Sequence, residues 1–245
     1  ISKIFIDRGD KIIVGLPSYL GALGAFNSYG ADMIGIPLDE HGMNVTELEK
    51  TLSKLKSENK KPKFIYIIPD FQNPSGITMS KKRRLEIIDL AKKYDVLIIE
   101  DSPYRELRFE GEPVDTMYQL DNSGQVLMLG TFSKIFAPGF RIGWVVGNED
   151  ILDKIVVAKQ STDLCTPPYT QRIAARYVGQ GLLDNNIKKI INLYRDKRDA
   201  MLEAFKQYMP EGVTWTEPEG GLFLFLTVPE HIDASKLFMD AIKEK

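Results

Sequence analysis

"GTFSKIFAPGFRIGW", residues 130–144, puts Lys134 at the end of an apolar run, behind the hydroxyls of Thr131 and Ser133. A Pro138-Gly139 turn and Arg141 follow, and then a second apolar run, "RIGWVVG". A lysine at a strand end needs a reason when aromatic and aliphatic residues surround it. The neighbouring runs supply the context: "KIIVGLP", "DMIGIPL", "KFIYIIP", "VLIIED" and "VLMLGTFS" alternate with helical patterns such as "NVTELEKTLSKLK" and "SKKRRLEIIDLAKKY". Strands this continuously apolar are buried on both faces. The pattern therefore predicts a three-layer α/β/α domain around a mostly parallel sheet.

The helical segments carry local start signals. Asn44 or Thr46 can cap the first, and Ser80 precedes the second, whose apolar positions Leu85, Ile88, Leu90 and Ala91 are expected to face the core. From about residue 149 the pattern is helical through "DILDKIVVAKQ", "YTQRIAARYVGQG" and "NNIKKIINLYRDKRDAMLEAFKQYM". "GVTWTEPEGGLFLFLTVPE" then reads as two strands around a Glu-Pro-Glu-Gly-Gly turn, with a last helix from Ala234. The expected organisation is a large domain over 1–185, a connecting helix over 186–208 and part of a smaller α+β domain over 209–245.

Composition narrows the function classes. With 43% hydrophobic and 10% aromatic residues among 245, the chain can bury a sizeable core. Its 32 basic and 34 acidic residues leave a formal charge of −2, which offers no electrostatic grip on nucleic acid or anionic lipid. The single cysteine, Cys165, excludes an internal disulfide and reads as a small buried or half-buried filler; His41 and His231, far apart, make no zinc ligand set. With no stretch long enough for a membrane span and no leader pattern, a cytoplasmic protein without bound metal is expected.

In open α/β sheets, ligands bind beyond the carboxyl ends of the strands. Those ends carry Tyr19, Asn73, Asp101, Tyr104, Thr131, Ser133 and Lys134, an assembly of rings, amide, carboxylate, hydroxyls and amine. A lysine against an apolar wall loses its proton more readily and forms an imine with an aldehyde. Pyridoxal 5'-phosphate (PLP) is the aldehyde cofactor, and its needs match the remaining groups. Its ring nitrogen calls for a buried carboxylate, for which Asp101 is placed. Its ring oxygen calls for donors such as Asn73 and Tyr104, its ring for an aromatic such as Tyr19, and its phosphate for Arg141, Thr131 and Ser133. Taken singly, each residue has a plainer use: Lys134 as a solvated strand end, Asp101 as a helix cap, Asn73-Pro-Ser-Gly as a turn, Arg141 as a surface ion-pair partner and Tyr19 as packing. Their joint placement favours the ligand.

In that order and at those intervals, "FQNPSG", "EDSPYRE" and "GTFSKIFAPGFRIGW", with "PSYLGAL" before them and "PEGGLFLFLTVPE" after, resemble the class I/II aminotransferases of the fold type I PLP enzymes. The look is nearest to the aromatic, kynurenine and 2-aminoadipate aminotransferases. The resemblance implies that Lys134 binds the cofactor's aldehyde and acts as general base. It implies that Asp101 pairs with the ring nitrogen, that Asn73 and Tyr104 contact the ring oxygen, that Tyr19 stacks, and that Thr131, Ser133 and Arg141 hold the phosphate. It implies ping-pong transfer of an amino group from an amino acid to a 2-oxo acid such as 2-oxoglutarate, by a homodimer. It also implies a longer protein, with a phosphate-cradling loop ahead of Ile1 and a substrate-gripping arginine after Lys245, so that this chain alone is expected to be inactive. Two other readings share the same residues: an aminotransferase-like sensor domain of a transcription regulator, and a PLP β-lyase or decarboxylase.

Overall fold

The computed structural model describes residues 1–244; Lys245, the end of the expected third segment, lies outside the described residues. In chain order the elements are α1 (Ser2–Phe5), β1 (Lys11–Leu16), α2 (Leu20–Ser28), β2 (Asp32–Asp39), β3 (Gly42–Met43), α3 (Val45–Ser57), β4 (Phe64–Ile67), α4 (Lys81–Tyr94), β5 (Leu97–Asp101), α5 (Met117–Leu120), β6 (Val126–Thr131) and β7 (Gly143–Val146). They continue with α6 (Glu149–Asp163), α7 (Pro168–Gly179), α8 (Leu182–Tyr208), β8 (Thr214–Trp215), β9 (Leu226–Thr227) and α9 (Ala234–Lys243).

Seven strands form one sheet in the order β3-β2-β1-β4-β5-β6-β7. The β2-β1-β4-β5-β6 body is parallel throughout, and both edge pairs, β2 with β3 and β6 with β7, are antiparallel. β7 runs antiparallel because residues 132–142 return directly from β6 with no crossover helix.

Strand residues alternate strictly between two cores, which explains the continuous apolar runs. Ile13, Ile65, Ile67, Ile98 and Val126 pack on one face against Leu48, Leu52 and Leu55 of α3, Ile87, Ile88 and Ala91 of α4, and Met117 of α5. Ile12, Val14, Phe64, Tyr66, Ile99 and Leu127 pack on the other against Phe26 of α2, with Phe5 of α1 and Ile151 of α6 at its margin. Each such aliphatic side chain contributes about 1.5–3 kcal/mol by leaving water. Helices thus cover both faces, as the three-layer expectation requires.

The caps lie where the sequence puts them. Asn44 Oδ1 accepts from the Glu47 amide at 3.1 Å and Ser80 Oγ from the Arg83 amide at 3.3 Å. Three readings need correction. Leu85 is 39% exposed, because the buried stripe of α4 runs through Arg84, Ile87, Ile88 and Ala91, and the completely buried Arg84 takes the place a leucine was expected to hold. Cys165 is exposed in the segment joining α6 to α7, so it fills no core gap. The two strands expected within residues 212–230 shrink to the two-residue pair β8/β9. Between them the chain leaves the ladder: Gly220 bridges to Arg108 and the Gly221 amide donates to Leu107 O at 2.9 Å. Gly221 adopts φ +76°, and a Cβ there would lie 2.3 Å from that of Phe71, so only glycine fits this approach. No described helix is long and apolar enough to cross a membrane.

Candidate active site

β1 has β2 on one side and β4 on the other, and the connections leaving toward each run over opposite faces of the sheet. That reversal opens a crevice at the carboxyl ends of β1 and β4. Around it lie Ser18 and Tyr19 after β1, Asp70 to Asn73 after β4, Asp101 and Tyr104 at and after β5, and Thr131 to Lys134 at and after β6.

Asp101 closes β5 and is held by one donor. The Tyr66 hydroxyl, from the neighbouring strand β4, donates to its Oδ2 at 2.6 Å. Burial pushes the Asp101 carboxyl above the usual aspartate range, and the Tyr66 hydrogen bond opposes part of that rise. Oδ1 accepts no hydrogen bond from the described residues, and no lysine or arginine pairs with the carboxylate. A half-buried carboxylate with an open oxygen suits a cationic ring nitrogen.

Tyr104 is buried, and Asn73 Nδ2 lies 3.4 Å from its hydroxyl, so the amide after β4 and the phenol after β5 meet. Burial raises the Tyr104 phenol above its ordinary value, which keeps it a proton donor at neutral pH. Lys134 is half-buried with Nζ 6.0 Å from the Tyr104 ring centroid. Among the described residues its amine has no hydrogen bond and no carboxylate partner. Lys134, Tyr104, Asn73 and Asp101 are therefore gathered at one end of three adjacent strands.

The expected phosphate set is assembled only in part. Thr131 and Ser133 share a hydrogen bond of 3.0 Å between hydroxyls, and Thr131 Oγ1 also donates to Ile142 O at 3.1 Å. Arg141 is exposed, with φ +55°, and its Nη1 donates to Pro138 O at 3.1 Å. Its guanidinium makes no hydrogen bond to either hydroxyl, although its backbone is one residue from Ile142. Tyr19 is 42% exposed, its ring lying over Gly21.

Several residues that shape the crevice had no motif to announce them. Tyr66 had one signal: a phenol inside an aliphatic strand run needs a polar partner once buried. Arg84 reaches under the loop after β4 and grips Asp70 with both branches, at 3.2 and 2.7 Å, while donating to Pro69 O, Met79 O and Asp115 O. Gln72 ties two strand ends together, donating to Pro17 O at 3.0 Å and accepting from the Ser75 amide at 2.8 Å. Asn186, from α8, donates to Ile135 O at 2.8 Å and so holds the backbone next to Lys134. Phe136, two residues past Lys134, stacks on Tyr177 of α7 at 4.4 Å between centroids.

Comparison with known proteins identifies the family of the chain. The family model described as aminotransferase class I and II matches residues 1–245. Aromatic-amino-acid aminotransferase 1 of Thermococcus litoralis is 51% identical over 242 residues, covering 99% of this chain and 58% of that protein. A crystal structure of Pyrococcus horikoshii kynurenine aminotransferase in complex with PMP superposes with a TM-score of 0.96 at 51% identity, covering 99% of this chain and 60% of that one. An uncharacterized HTH-type transcriptional regulator of Bacillus subtilis, YisV, is 34% identical over 248 residues, covering all of this chain and 50% of that protein. The chain thus spans half to three fifths of the length of these relatives. With the family model matched over residues 1–245, this chain belongs to the class I and II aminotransferases.

Proposed function

We propose that the protein carrying this chain is a PLP-dependent aminotransferase. It would pass the amino group of an aromatic amino acid, kynurenine or 2-aminoadipate to a 2-oxo acid such as 2-oxoglutarate in two alternating half-reactions. The observation that carries this reading is the convergence of Lys134, Asp101, Asn73 and Tyr104 at three adjacent strand ends of a chain in this family. The residues fit the cofactor: among the described residues Lys134 has an amine without an ionic partner, and Asp101 keeps one carboxylate oxygen open. Bound there, PLP would supply an aldehyde for amine exchange and an electron-withdrawing cationic ring.

The chain's own groups then have distinct tasks. Lys134 Nζ would hold the cofactor and, as a free amine, would take the proton from the substrate's α-carbon. Asp101 keeps a proton on the ring nitrogen. Asn73 and the Tyr104 hydroxyl donate to the ring oxygen, Tyr19 covers the ring, and Thr131 and Ser133 with Arg141 receive the phosphate, which for Arg141 requires its guanidinium to leave Pro138 O. A homodimer in the cytoplasm is part of the proposal, as is a division into a cofactor domain over 1–185, a connecting helix over 186–208 and part of a smaller domain over 209–245.

Borohydride reduction of the PLP-treated protein tests the central assignment. The wild type should retain the cofactor covalently after reduction, and Lys134→Ala should retain none; a folded Lys134→Ala variant that still traps cofactor would refute it. The likeness to YisV favours one second reading, a sensor domain within a regulator. A panel of amino acids with 2-oxoglutarate separates the two: multiple turnovers support the enzyme, and cofactor binding without turnover in the intact protein supports the sensor.

A further inference from the structure

Tyr66 is almost completely buried in β4, paired in register with Ile99 of β5. Its ring packs edge-on against Phe26 at 5.3 Å, so it is confined between strand and helix. Its hydroxyl has one hydrogen-bond partner among the described residues, Oδ2 of Asp101. Tyr104 and Tyr19 are near enough for charge on either to bear on Tyr66, and Lys134 lies beyond the Tyr104 ring. No cation touches Asp101 from any of these elements.

We propose that Tyr66 is the positioning residue of Asp101: its hydroxyl holds Oδ2, so that Oδ1 faces the ligand and the carboxylate keeps its charge beside a protonated ring nitrogen. This rests on the proposed PLP site. The choice of donor matters chemically. An arginine here would neutralise the carboxylate and take both oxygens, as Arg84 does to Asp70. An aliphatic residue would leave a buried carboxyl with no donor, and burial then favours its protonated form. A neutral phenol does neither. Between Asp101 and a ring nitrogen the proton can rest on either partner, and a donor to the carboxylate favours the charged pair, with the proton on nitrogen. Burial and the adjacent Asp101 charge keep the Tyr66 phenol itself well above its ordinary range, so it stays a donor at any pH the protein meets.

The test uses Tyr66→Phe in the intact protein carrying this chain, with folding checked by thermal unfolding. Without cofactor, carboxyl-carbon NMR, assigned with Asp101→Asn, should find Asp101 titrating higher in the variant, by about one pH unit. With PLP bound, nitrogen NMR of a labelled ring should move from the protonated position toward the neutral one at the same pH. Tyr66→3-fluorotyrosine, a nearly isosteric and stronger donor, should move both signals the opposite way, and it decides the matter if Tyr66→Phe does not fold. Unchanged Asp101 titration in a folded variant, or shifts of the wrong sign, overturn the proposal. If the wild type binds no PLP, the proposed function fails while the cofactor-free titration still decides whether Tyr66 controls Asp101.

Discussion

Asp70 and Asp101 stand at the ends of adjacent parallel strands, and their surroundings are opposites. Asp70 is 2% exposed and both its oxygens are taken by Arg84, which is itself completely buried and also ties down three carbonyls. Asp101 has one neutral donor on one oxygen. The first arrangement is saturated: it can bind nothing more, and its use is to set the loop that delivers Gln72 and Asn73. The second retains unfilled hydrogen-bonding capacity at the open end of the sheet. Burial alone does not separate the two carboxylates; what their partners leave unfilled does.

The largest expected effect comes from unbalancing the saturated pair. Arg84→Met or Asp70→Asn strands one buried partner and should lower unfolding free energy by about 3–5 kcal/mol, measured by urea denaturation. The double variant should recover part of that loss, since two neutral groups avoid an uncompensated charge. A cost below about 1 kcal/mol for either single variant would mean that Asp70 and Asp101 do not differ as described.

Asp101→Asn removes the same charge from the open site and should change stability by no more than about 1 kcal/mol, because the asparagine carbonyl can still accept from Tyr66. Its cost should fall on chemistry. With cofactor bound, single-turnover proton transfer should slow by about two orders of magnitude or more, while cofactor retention changes little. Rapid-mixing absorbance and desalting measure the two, and equal losses in both would erase the distinction.

How far the sequence foretold this contrast depends on what kind of contact each residue makes. The placement of Lys134, Asp101, Asn73 and Tyr104 at neighbouring strand ends was legible because strand ends can be read from hydrophobic runs, and the topology of open sheets brings those ends together. The main-sheet strands and the caps Asn44 and Ser80 were legible because period and capping are local. Arg84 was not, since "KKRR" reads as a solvated basic face; its burial depends on carbonyls and a carboxylate that only the fold supplies. Misplacing Leu85 is the same error seen from the other side, because the stripe Arg84, Ile87, Ile88 and Ala91 turns Leu85 outward. The short β8/β9 pair was illegible because residues 217–224 exchange ladder bonds for packing against Phe71 and Leu107, contacts distant in sequence.

A third carboxylate sharpens the comparison with the smallest expected effect. Glu100 precedes Asp101 on β5, is completely buried, and lies between the two extremes. Its Oε2 accepts from the Tyr118 amide at 2.9 Å and its Oε1 from Ser102 Oγ at 3.2 Å, with no direct cation among the described residues. Burial holds its carboxyl above the ordinary glutamate value of 4.5, and the backbone donors of Tyr118 and Met117 offset only part of that. The sign follows from linkage. Above pH 4.5 the unfolded chain has already released this proton while the folded chain still holds it, so the stability associated with neutral Glu100 is full below 4.5 and is lost as pH rises through the raised folded value. Glu100→Gln keeps the shape, leaves a carbonyl to accept from Tyr118, and turns the amide toward the Ser102 hydroxyl. It should therefore be nearly neutral at pH 4 and more stable than the wild type at pH 7, by an amount on the order of 1 kcal/mol. Thermal unfolding of both proteins across that range measures the difference. A variant that loses stability as pH rises would mean that Glu100 is held as a charged group like Asp70, and that the long-range field of Arg84 reaches one strand further than its hydrogen bonds.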